Sequence, residues 1–169
     1  GGIVDTFEAQ GLRVFGPRKN AAILEGSKAF SKDLMKKYQI PTAAYETFDS
    51  AEAALAYLEN ADFPIVLKAD GLALGKGVLI CQNLDEAKEG VKEIMTDKKF
   101  GSAGNRLVIE EFMTGREVSV LSFVDGKTIK TMTSAQDHKR AGDGDTGLNT
   151  GGMGTFSPSP FYTDEVDDF

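Results

Sequence analysis

The sequence predicts an α/β protein of the α+β kind, in which helices pack on a sheet that contains antiparallel strands. Apolar residues recur at helical spacing in residues 50–58 and 84–95. A glycine-rich loop lies between two strand-like runs, residues 63–67 and 78–81, an arrangement typical of a β-hairpin. From residue 107 onward, β-branched runs alternate with turn signals, which indicates further antiparallel strands.

Composition narrows the class of protein. The chain has 169 residues, of which 41% are hydrophobic and 27% charged, as is ordinary for a globular protein with one core or two small lobes. The longest apolar runs fall well short of the roughly 20 residues that a membrane span needs. A net charge of -7 argues against a general nucleic-acid binder. The single cysteine, Cys81, excludes an internal disulfide and fits a reducing compartment, so we expect a cytoplasmic protein.

The two ends of the sequence predict an internal piece of a longer protein. The chain starts at Gly1 without a methionine and reads as though it were already inside a helix. Its last residues, from Asp164, read as the start of another helix.

The first forty residues are predicted to alternate between helix-like and strand-like pieces. Ser27 is the predicted N-cap of a helix over residues 28–38, which ends before Pro41. The apolar side chains of this helix share one face and are Phe30, Leu34 and Tyr38. The preceding predicted elements are a helix over residues 3–10, a strand over residues 12–15 and a helix near Ala21.

Residues 43–113 are predicted to form a small lobe of two helices on a four-stranded sheet. Ser50 is the predicted N-cap of the first helix, and residues 84–95 form the second. The apolar side chains of these helices are Ala54, Leu55, Leu58, Ala87, Val91, Ile94 and Met95. The strands are residues 43–48, the two arms of the glycine hairpin and residues 107–112, and later strands over residues 117–124 and 127–132 join at Asp125-Gly126.

The glycine loop begins at Lys68 and reads Lys-Ala-Asp-Gly-Leu-Ala-Leu-Gly-Lys-Gly-Val. It is not a Walker loop, because only three residues separate Gly71 from Gly75 and Gly77 stands where a hydroxyl is needed. It is not a Rossmann loop either, because no helix follows it. The sequence therefore predicts a hairpin whose backbone N–H groups approach a triphosphate, with added positive charge from Lys68 and Lys76.

A second polar cluster follows the hairpin. Strand alternation turns Glu110 and Glu111 to opposite faces, so that one of them points into a cleft beside Phe112 and Met113. Adenine needs apolar walls, and a ribose diol is well matched by a carboxylate such as that of Glu117. The alternative is an edge strand with solvated glutamates.

A third cluster, residues 134–154, combines glycines with mixed polar residues. Six glycines between Gly142 and Gly154 leave a backbone that is free to wrap a small polar ligand. A cationic point suited to phosphate or carboxylate is provided by His138, Lys139 and Arg140. The alternative is a disordered surface loop.

Several other kinds of site are excluded by residue type. His138 is the only histidine, which rules out a two-histidine zinc site and leaves little material for a Ser-His-Asp triad. The run that begins at Asp143 starts like a calcium loop but has Leu148 where the loop needs glycine. Cys81 lies in a β-run and is interpreted as a packed thiol.

Four segments, in this order and spacing, resemble the ATP-grasp ligases and, among them, the phosphoribosylamine-glycine ligase family. They are Gly26-Ser-Lys-Ala-Phe-Ser-Lys-Asp, the glycine loop from Lys68, Ile109-Glu-Glu-Phe, and Gln136-Asp-His-Lys-Arg through Asn149-Thr-Gly-Gly-Met-Gly and Ser157-Pro-Ser-Pro. The resemblance implies an ATP-grasp fold. It assigns residues 43–113 to the small lobe, residues 26–42 and 114–169 to part of the large lobe, and residues 1–25 to the end of an N-terminal domain.

The resemblance also implies roles for individual residues. Those implied to bind ATP are Lys28, Lys68, Asp70, Gly71, Gly75, Lys76, Gly77, Glu110, Phe112, Met113 and Glu117. Those implied to line the phosphoribosylamine side are Asp137, His138, Lys139, Arg140, Asn149, Thr150, Gly151, Gly152 and Met153. No single catalytic residue and no metal ligand is assigned, because the Mg²⁺ ligands are expected beyond Phe169.

The reaction implied by the resemblance joins two small-molecule substrates. ATP phosphorylates the carboxylate of glycine, and the amine of phosphoribosylamine then attacks this acyl phosphate, giving glycinamide ribonucleotide, ADP and phosphate. The implied cofactors are ATP and Mg²⁺. The 169 residues alone are expected to be inactive and to bind nucleotide at best weakly. The alternatives are another ATP-grasp carboxylate-amine ligase and a noncatalytic nucleotide-binding module.

Overall fold

The computed structural model describes residues 2–73, 77–144 and 146–167. The chain forms two compact units, one that ends at Met113 and one that begins at Thr114. Among the described helices, none has the length and apolar character needed to cross a membrane.

The first unit contains both helices and strands, whereas the second unit is mainly β. The elements of the first unit are α1 (Ile3–Ala9), α2 (Ile23–Gly26), α3 (Lys28–Lys37), β1 (Tyr45–Phe48), α4 (Ala51–Leu58), β2 (Ile65–Ala69), β3 (Val78–Cys81), α5 (Leu84–Val91), a π-helix (Lys92–Thr96), a 3-10 helix (Gly101–Asn105) and β4 (Leu107–Glu111). Those of the second unit are β5 (Ser122–Val124), β6 (Ile129–Thr131), β7 (Gln136–Gly142), β8 (Thr146–Phe156) and α6 (Asp164–Asp167).

The first unit is built on an antiparallel sheet with the strand order β1-β4-β2-β3. Val66 of β2 lies opposite Glu110 of β4, and Lys68 is two residues further along β2. Glu110 and Lys68 therefore project from the same face of the sheet. Leu67 and Ile109 lie opposite each other and project from the other face, where both are fully buried. The sheet thus has an apolar face and a charged face.

Two helices and the π-helix cover the apolar face. Each fully buried Leu, Ile or Val side chain in such a core contributes about 1.5–3 kcal/mol. The predicted apolar sides of both helices are confirmed, since the buried core includes Ala54, Leu58, Ala87, Val91, Ile94 and Met95. Leu55 is partly buried against the same cluster.

Polar side chains begin three helices of the first unit. The Ser27 hydroxyl accepts a hydrogen bond from the Phe30 N–H at 3.1 Å, and the Ser50 hydroxyl accepts one from the Ala53 N–H at 3.2 Å. Both predicted N-caps are confirmed. Asn83 caps α5 in the same way and was not predicted.

The strand predicted over residues 12–15 is wrong. The Leu12 N–H donates to the Phe7 carbonyl at 3.0 Å and so closes the end of α1. Residues 12–15 themselves have no strand conformation. Apolar residues at this point satisfied the sequence pattern for a strand, but pairing with a neighbour is required to make one.

Helix α3 buries a face other than its apolar one. Phe30 and Tyr38 are 42% and 61% exposed. Its buried residues are Ala29 and Lys32. The Lys32 ammonium reaches Glu110 on the charged face of the sheet.

The second unit contains two hairpins. In the first, the Asp125 carboxylate accepts hydrogen bonds from the N–H groups of Lys127 and Thr128, and Gly126 has a φ of 92°. A positive φ favours glycine, so the predicted turn is confirmed. Strands β5 and β6 are shorter than predicted.

The glycine-rich segment of the second unit forms strand β8, a strand that the sequence analysis did not predict. Strand β8 pairs with β7 from Gln136 opposite Phe156 to Gly142 opposite Thr146, with shifts of register between them. Glycine has low strand propensity, so this pairing was not visible in the local sequence. Cross-strand hydrogen bonds provide the order that propensity does not.

Candidate functional site

A cavity of about 540 Å³ lies in the first unit between α3 and the charged face of the sheet. Helix α3 contributes Lys28 and Lys32, while the sheet contributes Lys68 and Glu110. The remaining lining residues are Leu24, Glu25, Ser31, Met35, Leu72, Ala73, Gly77 and Val78. The cavity therefore combines apolar walls with a concentration of ammonium groups.

Glu110 holds two of these ammonium groups together. Its Oε2 atom lies 2.8 Å from the Nζ atom of Lys68 and 3.2 Å from that of Lys32. Lys32 also donates to the Thr42 hydroxyl at 2.8 Å and to the Ala43 carbonyl at 3.2 Å. The side chain of Lys68 remains 27% exposed, against 9% for Lys32. Two cations and one carboxylate leave a net positive charge, and Lys68 is the more accessible of the two cations.

Lys32 is the residue of this group that sequence reasoning missed. It follows Lys28 by four residues on α3, and residues at this spacing lie on the same face of a helix. That spacing was the available signal. The apolar residues of the helix lie on another face.

Lys28 reaches the base of the glycine loop. Its ammonium donates to the carbonyl oxygens of Ala69 at 2.8 Å and Gly71 at 3.0 Å. Burial lowers the pKa of Lys28, and the nearby Asp70 carboxylate partly opposes this shift. The predicted contact of Lys28 with a phosphate stays a prediction, and in this structure its ammonium is bound to backbone oxygens.

Asp70 and Gly71 line a second cavity, of about 530 Å³, together with Asp49 and Arg106. The Asp70 carboxylate accepts hydrogen bonds from the Ser27 hydroxyl and the Ala29 N–H and is thus turned toward α3.

The two described glycines of the loop make close contacts. A Cβ on Gly71 would lie 3.0 Å from the backbone of Ala103, and one on Gly77 would lie 2.7 Å from the Cβ of Ala73. Tight packing therefore accounts for glycine at both positions. The predicted ATP contacts of Gly75 and Lys76 fall outside the described residues.

The residues predicted to hold adenine and ribose are close in sequence but belong to different units. Phe112 and Met113 follow β4 and are 37% and 67% exposed. Glu117 belongs to the second unit, where its carboxylate forms an ion pair with Lys139. The hydrogen bond from Lys139 to Glu117 is the main cause of the raised pKa of Lys139.

The predicted substrate residues lie on the β7-β8 hairpin. Asp137 Oδ1 is 3.9 Å from the Lys139 Nζ atom. Within the described chain this oxygen is buried and has no hydrogen-bond partner. The His138 ring meets the edge of Phe156 at 5.5 Å between centroids, and Arg140 donates to the Gly147 carbonyl at 3.0 Å. Asp137 and Lys139 thus lie near each other, whereas the Arg140 side chain bonds to the backbone of β8.

The other predicted substrate residues are on β8. The Thr150 hydroxyl accepts from the Gly152 N–H at 3.0 Å and donates to the Lys139 carbonyl at 2.9 Å. Gly152 has a φ of 126°, and Met153 is 60% exposed. Gly151 is exposed, and the backbone of Asn149 pairs with that of Arg140.

Comparison with known proteins places this geometry in a family. Residues 26–169 match the family described as phosphoribosylglycinamide synthetase, ATP-grasp (A) domain. Over 165 residues the chain is 56% identical to a phosphoribosylamine-glycine ligase of Pasteurella multocida. The aligned region covers 98% of this chain and 38% of that protein. The crystal structure of a phosphoribosylamine-glycine ligase from Thermotoga maritima superposes with a TM-score of 0.81 and 41% identity, over 86% of this chain and 37% of that one.

A more distant structure shares the fold. D-alanyl-alanine synthetase A from Vibrio cholerae has a TM-score of 0.71 at 14% identity, over 99% of this chain and 50% of that one. The chain spans 38% of the length of the curated relatives it matches. The fold class and the family resemblance expected from the sequence are confirmed. Because the family match covers residues 26–169, the chain belongs to the phosphoribosylglycinamide synthetase family of ATP-grasp proteins.

Proposed function

We propose that this chain forms the ATP-binding part of an enzyme that ligates glycine to 5-phosphoribosylamine, giving glycinamide ribonucleotide, ADP and phosphate. The observation that carries the proposal is the cavity between α3 and the charged face of the sheet, in which Glu110 holds the ammonium groups of Lys32 and Lys68. The relatives named phosphoribosylamine-glycine ligase support the choice of substrates.

The cavity suits ATP in size and chemistry. Its volume of about 540 Å³ lies within the usual range of about 300–1,000 Å³ for small-molecule sites. Leu24, Met35 and Val78 offer apolar surface for a base, and Lys68 offers a partly exposed cation for a phosphate. Because Glu110 fixes the Lys68 ammonium, little side-chain entropy remains to be lost when a phosphate binds.

The proposed reaction explains why cations are concentrated here. A glycine carboxylate oxygen attacks the terminal phosphorus of ATP, and the bond to ADP breaks. The amine of phosphoribosylamine then attacks the acyl carbon of glycyl phosphate, phosphate leaves, and the amine loses a proton. The first step brings anions together, so the protein's contribution is to position and neutralise them.

Magnesium is implied by the family, but the described residues do not fit it. In residues 2–73, 77–144 and 146–167, no three His, Cys, Asp or Glu side chains are grouped closely enough to hold a metal ion. Glu110, the carboxylate on the charged face, is already bound by two ammonium groups. No step proposed here depends on a metal.

We also propose an assignment of the chain to ATP-grasp lobes and a cytoplasmic location for the protein. The four-stranded sheet and its two covering helices support residues 43–113 as the small ATP-grasp lobe. The family match begins at residue 26, which supports assigning residues 26–42 and 114–169 to the large lobe and residues 1–25 to a separate domain. The single cysteine supports a cytoplasmic location.

Lys68→Ala is expected to weaken ATP binding by about tenfold or more, because a hydrogen bond to a charged group is worth about 1.5–3 kcal/mol. The measurement is an ATP titration of the 169-residue chain. Lys88→Ala is the matched control, since Lys88 pairs with Glu59 on the surface and does not line the cavity. Equal ATP affinity in both variants would show that Lys68 does not contact ATP.

Substrate identity is tested in a full-length phosphoribosylamine-glycine ligase that carries this chain in place of its own matching segment. Phosphate release from ATP is expected to require both glycine and freshly generated phosphoribosylamine. Release that needs a different amine would retain ATP binding and reject the proposed substrates. Absence of release with every amine would favour a noncatalytic nucleotide-binding module.

A further inference from the structure

A group of hydrogen bonds joins the base of the glycine loop to the start of α3. The Lys28 N–H donates to the Asp70 carbonyl at 3.1 Å, and the Ala29 N–H donates to the Asp70 carboxylate at 2.7 Å. The Ser27 hydroxyl lies 3.1 Å from both oxygens of the same carboxylate. Two short segments that are 41 to 43 residues apart in the sequence are therefore held together.

These bonds complete the N-cap of α3. The first N–H groups of a helix have no partner within the helix and need acceptors from elsewhere. In α3 the first is satisfied by the Asp70 carbonyl, the second by the Asp70 carboxylate and the third by the Ser27 hydroxyl. A carboxylate at this end also complements the helix dipole. Asp70 thus supplies two of the three acceptors from a distant part of the chain.

Further hydrogen bonds hold the base of the glycine loop to α3 and to the residue before β4. The Lys28 ammonium donates to the Ala69 and Gly71 carbonyls, which flank Asp70. The Asp70 N–H in turn donates to the Arg106 carbonyl at 3.0 Å, just before β4. Movement of the loop base relative to α3 would break several of these bonds at once.

Asp70 itself lies outside the candidate ATP cavity. It lines the second cavity with Asp49 and Arg106, whereas Lys32 and Lys68 line the first. The hydrogen bonds of its carboxylate instead reach the start of α3, the helix that carries Lys32.

We propose that Asp70 is a positioning residue, whose carboxylate fastens the start of α3 to the glycine loop and so sets the positions of Lys28 and Lys32 beside Lys68. This inference rests on the proposed function and replaces the expectation of direct contact between Asp70 and ATP. The role belongs to the carboxylate's two hydrogen bonds, from Ser27 and Ala29, rather than to its charge near a ligand.

The test compares three changes in the 169-residue chain: Asp70→Ala, Asp70→Asn, and Asp70→Ala combined with Ser27→Asp. Asp49→Asn is the matched control, because Asp49 lines the same cavity but pairs with Arg106. The readouts are amide hydrogen exchange at Ala29 without nucleotide, the melting temperature, and the dissociation constant for ATP.

Asp70→Ala is expected to accelerate Ala29 exchange and to raise the ATP dissociation constant, each by about tenfold, and to lower the melting temperature. Asp70→Asn retains an oxygen that accepts from the Ala29 N–H, so both readouts are expected to stay within about threefold of the unaltered chain. Ser27→Asp restores a cap within α3 but does not fasten the loop. The combined variant is therefore expected to recover its melting temperature without recovering ATP affinity. Asp49→Asn is expected to change neither Ala29 exchange nor the ATP dissociation constant.

Three results would overturn the proposal. The first is an Asp70→Asn variant with a protected Ala29 amide and ATP binding as weak as in Asp70→Ala, which would mean that the charge acts on the ligand. The second is full recovery of ATP affinity in the combined variant. The third is unaltered Ala29 exchange in Asp70→Ala; if that variant does not fold, the second result decides. If the unaltered chain binds no ATP, the proposed function fails, and Ala29 exchange alone decides whether Asp70 fastens the helix.

Discussion

At the scale of single residues, Glu110 links the stability of the first unit to the chemistry of the cavity. Its side chain is 5% exposed and forms ion pairs with both Lys68 and Lys32. A buried ion pair adds little net stability compared with apolar side chains, but removing one partner leaves the other charge uncompensated. The sequence predicted that either Glu110 or Glu111 points into a cleft, and only Glu110 contributes to the cavity lining.

Glu110→Gln is expected to lower the free energy of unfolding by about 3 kcal/mol, because the Lys32 ammonium stays buried without a carboxylate. Urea unfolding of the chain measures this change. Glu111→Gln is the neighbouring control. Glu111 accepts from the Ala44 N–H with one oxygen, which an amide can replace, so a change within about 0.5 kcal/mol is expected. Similar small losses in both variants would show that the buried pair is not needed for stability.

At the scale of elements, the end of α5 depends on a glycine in another helix. Residues Lys92–Thr96 continue α5 as a π-helix, and Gly104 of the 3-10 helix lies against the carbonyl oxygen of Ile94. A Cβ at residue 104 would be 2.1 Å from that oxygen, far inside van der Waals contact. The local sequence does not reveal this contact, which joins residues from separate helices.

Gly104→Ala is expected to lower the free energy of unfolding by at least about 2 kcal/mol, because backbone and not a flexible side chain must move to admit the methyl group. Thermal unfolding measures the effect. Gly26→Ala serves as the control, since nothing lies within 4 Å of the position of its Cβ and its φ is not positive. We expect no loss of stability there. A Gly104→Ala variant as stable as this control would contradict the close contact.

At the scale of the whole molecule, the two units differ in how much they bury. The buried hydrophobic residues of the described chain run from Val4 to Ile109 and all belong to the first unit. In the described part of the second unit, the buried residues are Ser134 and Ser159. Strands β5 and β6 are exposed along their length. Cooperative stability follows buried apolar surface, so the first unit holds most of it.

Amide hydrogen exchange is expected to divide the chain at Met113. Strands β2 and β4 are expected to exchange at least about a hundredfold more slowly than β5 and β6, because exposed hairpins open locally whereas core strands require global unfolding. Mass spectrometry of peptides from the native 169-residue chain measures both rates. Equal protection of the two sets of strands would show that the second unit shares in the cooperative core.

Local signals in the sequence were enough to determine the helices α4 and α5, the glycine hairpin, the caps at Ser27 and Ser50 and the motifs that resemble the family. These features depend on interactions between residues a few positions apart, and so they are readable from spacing and residue type. Tertiary structure alone decided the strand order, which places Glu110 on the same face as Lys68. It also decided the burial of Lys32, the turn of Asp70 toward α3 and the pairing of the glycine-rich β8. Each of these depends on contacts formed when distant segments pack together, and no local propensity specifies which segments will meet.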